Sequence, residues 1–141
     1  MALNPACQAL CDALGARLVA RDFEGVHALL APWLQSATSP AELRDAIDAA
    51  GEGLAHPPRS WTADEGLVGL EDLRKPDPYG PPSRPLPAEI TPGNFRGWLS
   101  IQLAPEAAVH EEQNVCFDVW LVAVEHEGSL RVGYLEPWEA T

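Results

Sequence analysis

The hydrophobic positions fall into two regimes. Over the first fifty or so residues they recur every three or four positions, and over the last third they alternate. Leu3, Cys7, Leu10, Leu14 and Leu18 mark one face of an amphipathic helix. Asn4-Pro5 in front of it offers a side-chain cap and a proline at the first helical position, where a missing N–H costs nothing. Gly15 weakens this helix by about 1 kcal/mol relative to alanine. A second helix is predicted behind an Asp22 cap, from Phe23 to about Gln35. Phe23, Val26, Leu30, Trp33 and Leu34 face inward, and the helix kinks or frays over its last turn because Pro32 lies inside the pattern. Ser39-Pro40-Ala41-Glu42 has the capping-box form and opens a third helix, which carries Leu43, Ala46, Ile47 and Ala50 and stops at Gly51.

Alternation takes over at Asn94 and predicts three strands: Phe95–Ala104, Asn114–Glu125 and Leu130–Trp138. In the first, Phe95, Leu99, Ile101 and Leu103 oppose Arg96, Trp98, Ser100 and Gln102. In the second, Val115, Phe117, Val119, Leu121 and Ala123 oppose Cys116, Asp118, Trp120, Val122 and Val124. In the third, Leu130, Val132 and Tyr134 oppose Arg131, Gly133 and Leu135. His126-Glu127-Gly128-Ser129 suits a tight hairpin, and Pro105 to Gln113 forms a longer acidic connection. One face is cleanly apolar and suits the helical layer. The other mixes Trp98 and Trp120 with Ser100, Gln102 and Asp118. Such a face needs a cover, whether a partner subunit, another part of the chain or a ligand. A one-residue bulge would exchange the two faces.

Between the two regimes, Gly51 to Gly93 holds nine prolines and six glycines and no sustained period. One element is expected in it, Gly66 to Leu73, as a short strand or a helical turn. The prolines around Lys75 to Pro82 exclude a central strand. The expected role of the segment is a loop wrapping the sheet edge, with a lid or docking arm as the alternative. The chain therefore reads as one α+β domain over residues 1–141, with 51–93 as an insert.

Three helices followed by an antiparallel sheet is the element order of the nuclear-transport-factor-2-like (cystatin-like α+β) superfamily. The stretch Leu18-Val19-Ala20-Arg21-Asp22-Phe23-Glu24-Gly25-Val26-His27-Ala28-Leu29-Leu30 resembles the turn between the first two helices of many such domains. Leu130 to Trp138 resembles their closing strand. The resemblance implies helices packed on a curved antiparallel sheet, forming a cone. Its members include isomerases, dehydratases, small-ligand binders, scaffold subunits and toxin-immunity proteins, and many homodimerise across the sheet. The proline-rich insert departs from the compact pattern. Catalytic members place a carboxylate or a His–Asp pair inside the cone, and Asp118 is the residue here that could serve as that base. Asp is disfavoured within a strand, and an ion pair with Arg96 or Arg131 would also explain it. Tyr134 and Glu136 could add polar groups.

Charge narrows the partners. A net charge of -12 disfavours nucleic acid and anionic lipid, and leaves a basic protein or a cationic ligand open; a small apolar ligand is the further possibility that a cone cavity would allow. No run approaches the roughly 18 apolar residues of a membrane span. The N-terminus lacks the charged and apolar regions of a secretory signal, so a cytoplasmic protein is expected. Cys7 and Cys11 share a helix face, where burial as small hydrophobes is expected before a metal or redox pair. His27, His56, His110 and His126 make no ligand pattern, no phosphate or nucleophile motif is present, and neither metal nor cofactor is expected. The reading is a non-catalytic association domain that homodimerises through its sheet, using Trp98, Ser100, Gln102, Asp118, Trp120 and Tyr134. The alternatives are a ligand binder or isomerase-type enzyme using the cone cavity, and an acidic immunity or accessory protein.

Overall fold

The computed structural model describes residues 3–54, 57–75, 79–105 and 116–138. The N-terminal layer is helical: α1 (Pro5–Val19), α2 (Phe23–Ala28), α3 (Pro32–Ala37) and α4 (Pro40–Ala50). Asn4 caps α1 by accepting the Cys7 N–H at 2.8 Å. Ser39 and Glu42 bond each other's backbone N–H groups in a complete capping box at α4. The predicted second helix is interrupted rather than frayed. Residues 29–31 leave the helical path and pair with a strand, so Ala31 N–H donates to Val132 O and Val132 N–H donates to Leu29 O. Pro32 then fits the start of a new helix, where its missing donor is harmless.

The sheet has four antiparallel strands in the order β1 (Ser60–Glu65), β2 (Phe95–Ala104), β3 (Phe117–His126) and β4 (Ser129–Trp138), and it is open. Strand β1 lies in the segment expected to be irregular. It pairs with β2 along its length, from Ser60 opposite Ala104 to Glu65 opposite Leu99. Within Gly66 to Leu73 the element is the helical turn α5 (Leu70–Leu73). The β3–β4 hairpin turns on Glu127 and Gly128, at φ 51° and 84°, the two left-handed residues of a tight two-residue turn. Asn114, Val115 and the acidic connection at 106–113 lie outside the described residues, as do His56 and His110.

Two register shifts move side chains between faces. One lies at Phe95/Gly97 and places Phe95 with the Trp98 face, not with Leu99. The other falls at Val122/Ala123 opposite Gly133. It carries Tyr134 to the Trp98 face and Leu135 to the helix face. Each extra residue reverses the alternation beyond it.

The helix face is the main core. Leu10, Cys11, Leu14, Val26, Leu30 and Ile47 meet Leu99, Ile101, Val119, Leu121 and Val132 there. Burying each Leu, Ile or Val side chain contributes about 1.5–3 kcal/mol. Burial also pushes the Cys11 thiol up to about 12, so it remains protonated within the packing. The opposite face has a second, smaller core. Residues of the proline-rich segment cross it: Leu73 and Ile90 are buried against Trp98, Val122, Val124 and Tyr134, with Leu70 and Leu86 beside them. The segment therefore lies over the sheet face as an arm, rather than only along the edge. The outer edge of β4 is closed differently, by residues 29–31, by the Trp33 indole N–H on Gly133 O at 2.9 Å and by Arg131 on Ala28 O at 2.7 Å. These contacts occupy groups that an edge strand would otherwise offer to another chain.

Candidate functional site

The second sheet face can be laid out in three rows, because directly paired residues point to the same side. Thr62, Gln102, Asp118 and Trp138 form the first row. Asp64, Ser100, Trp120 and Glu136 form the second, and Trp98, Val122 and Tyr134 the third. The arm covers the third row and the Glu136 end of the second. Trp98 and Tyr134 are consequently buried, at 3% and 4% exposure. Trp120 stacks on Trp98, with ring centroids 5.1 Å apart and planes at 19°, but is itself only half-buried. Ser100, Asp118 and Trp138 are half-buried; Thr62, Asp64 and Gln102 are exposed. The six residues singled out from the sequence thus share one face, which the arm divides into a sealed part and an open part.

Asp118 lies on this face, opposite the helices, so it is not a base inside the helix–sheet interior. Neither expected arginine reaches it. Arg96 pairs with Glu125, and Arg131 bonds the Ala28 carbonyl. Burial raises the Asp118 carboxyl above its ordinary value, and the Asp64 charge across β2 raises it further. Neither carboxylate has an ion-pair partner among the described residues.

Glu136 was harder to foresee, being charged and near the chain end. It is the buried charged residue of the described chain, at 6% exposure. The Ser83 N–H donates to its Oε1 at 2.9 Å, the Ser83 hydroxyl donates to its Oε2 at 2.7 Å, and the Tyr134 hydroxyl also donates to Oε1. Burial, then the neighbouring carboxylate, pushes the Tyr134 phenol up to about 12. Arg84 lies over the Tyr134 ring, 5.5 Å from its centroid. This cluster fastens the arm to β4 through an ion with every oxygen bonded.

Among the described residues no group of three or more His, Cys, Asp or Glu side chains is placed to hold a metal. Nor is any helix there long and apolar enough to cross a membrane. His27 Nε2 lies 3.1 Å from Gln35 O and 3.0 Å from Thr38 O, and so closes the end of α3. Compared with known proteins, the chain matches no family model, no curated protein and no solved structure.

Proposed function

We propose that the protein is a non-catalytic association domain of the nuclear-transport-factor-2-like cone class, and that its partner docks on the open part of the second sheet face. One observation carries this reading. Trp120 rests on a buried indole, and its accessible surface adjoins Ser100, Gln102 and two carboxylates that have no ion-pair partner among the described residues. A rigid aromatic ringed by accessible polar groups is the composition of an interface anchor. The homodimer is the simplest version. A specific feature favours a basic partner instead, since Asp64 and Asp118 repel a second copy of the same face, and an arginine or lysine between them would relieve that repulsion.

The mass in solution and the titration of an arginine-rich peptide test both versions. A dimer that Trp120→Ala converts to a monomer assigns the face to a second copy. A monomer whose peptide affinity falls on Asp64→Asn/Asp118→Asn, but not on Glu24→Gln/Asp45→Asn, assigns it to a basic partner. A monomer that binds the peptide equally in all variants removes the association reading.

A further inference from the structure

A second concavity, on the other side of β4, has a different chemistry. A groove of about 360 Å³ lies between α3, α4 and the end of β4. Leu34, Leu43, Ile47 and Leu135 give it apolar walls. Its remaining side comes from the arm, through Arg84, Pro85 and Pro87. The same insert that seals the sheet face therefore also completes this groove.

Arg84 is the sole basic residue of the lining. Its guanidinium lies over the Tyr134 ring and donates from Nη2 to Leu135 O at 3.2 Å. A guanidinium has five N–H donors; Leu135 O and the Tyr134 hydroxyl, which also bonds Glu136, take part of that capacity and leave the rest for a ligand. No carboxylate lies within ion-pair distance of it among the described residues. The ring beneath it contributes a cation–π contact without neutralising the charge. Glu42 is the acidic residue of the lining, and its Oε1 is engaged by the Ser39 N–H at the start of α4. Glu42 lies on the opposite wall, on α4, so Arg84 is the point of the lining at which a single negative charge can be met. A phosphate ester would bring a second charge that no other lining cation meets.

We propose that this groove binds a small monocarboxylate with an apolar body. Its apolar body lies against Leu34, Leu43, Ile47 and Leu135, and its carboxylate accepts from the N–H groups of Arg84 that Leu135 and Tyr134 leave over. The site is separate from the open sheet face and does not depend on the association reading.

Octanoate is the probe, followed by calorimetry and ligand-observed NMR on the full chain. One saturable site is expected, with affinity reduced roughly ten-fold in Arg84→Gln, the scale of one charge-assisted contact. Octanamide, of the same shape but neutral, should bind the wild type with similarly reduced affinity. Ala46→Trp, at an exposed position on the groove wall, should abolish binding while leaving the unfolding transition intact. Absence of saturable octanoate binding overturns the proposal. So does an affinity unchanged by Ala46→Trp, which places the ligand elsewhere, or unchanged by Arg84→Gln, which removes the carboxylate from the recognition.

Discussion

Ser83 holds Glu136 at two points, with its backbone N–H on one carboxylate oxygen at 2.9 Å and its hydroxyl on the other at 2.7 Å. The two residues are 53 positions apart in the chain. A buried carboxylate is costly unless its oxygens are bonded, and here Tyr134 supplies a third donor. The clasp decides where the arm lies. It thereby decides which aromatic residues are sealed and which remain available to a partner.

Removing the acid should loosen the arm more than removing the hydroxyl. Glu136→Ala leaves the Ser83 N–H and the Tyr134 hydroxyl without their acceptor, and a loss of about 3 kcal/mol is expected. Ser83→Ala keeps the backbone bond and should lose about 1–2 kcal/mol. Urea unfolding measures both, and limited proteolysis within residues 79–93 should accelerate in the same order. Equal, small losses in the two variants would mean that apolar packing alone holds the arm.

Much of this arrangement is written locally. The Asn4 cap, the Ser39/Glu42 capping box and the Glu127-Gly128 turn each depend on residues within a few positions of one another, and each was legible. The period of two in Phe117 to Val124 likewise placed Asp118 and Trp120 on one face with Trp98. Strand β1 was not legible. Pro57-Pro58 and Gly66 bracket it, Asp64 and Glu65 are poor strand formers, and only Trp61 and Ala63 mark its inward side. The bulges were hidden because an extra residue reverses the alternation without altering composition; Gly97 and Gly133 were their faint traces. The cover over Trp98 and the Ser83–Glu136 clasp are long-range pairings with no periodic signature. Residues of the candidate face could therefore be named from sequence, while the division of that face could not.

Asp118 should reveal itself through pH. Its carboxyl is raised in the folded state by burial and by Asp64. The folded protein thus holds this proton more tightly than the unfolded chain does. The associated stability is present below the unfolded value of 3.8 and is lost as pH rises through the folded value. At neutral pH the ionised Asp118 is a net cost to the fold. Asp118→Asn should accordingly raise stability at pH 7, by under about 1 kcal/mol, and make little difference near pH 3. Urea midpoints at the two pH values test this. A variant less stable at pH 7 would mean that the carboxylate is satisfied within the fold and is not held ready for a partner.

Gly15 sets helix propensity against packing. Alanine in its place should strengthen a helix interior by about 1 kcal/mol. A Cβ there, however, would fall 2.5 Å from Trp61 Cγ and 2.6 Å from Cδ1. The indole has little freedom to withdraw, because its N–H donates to Asp12 on α1 at 3.1 Å and its backbone is paired opposite Leu103. Overpacking of this kind costs about 1–3 kcal/mol, so Gly15→Ala should destabilise the protein despite its better propensity. In a Trp61→Ala background the obstruction is gone, and the same substitution should become neutral or stabilising by up to about 1 kcal/mol. Urea unfolding of the four proteins in this cycle measures the change of sign. A stabilising Gly15→Ala in both backgrounds would show that α1 and β1 do not meet at this ring.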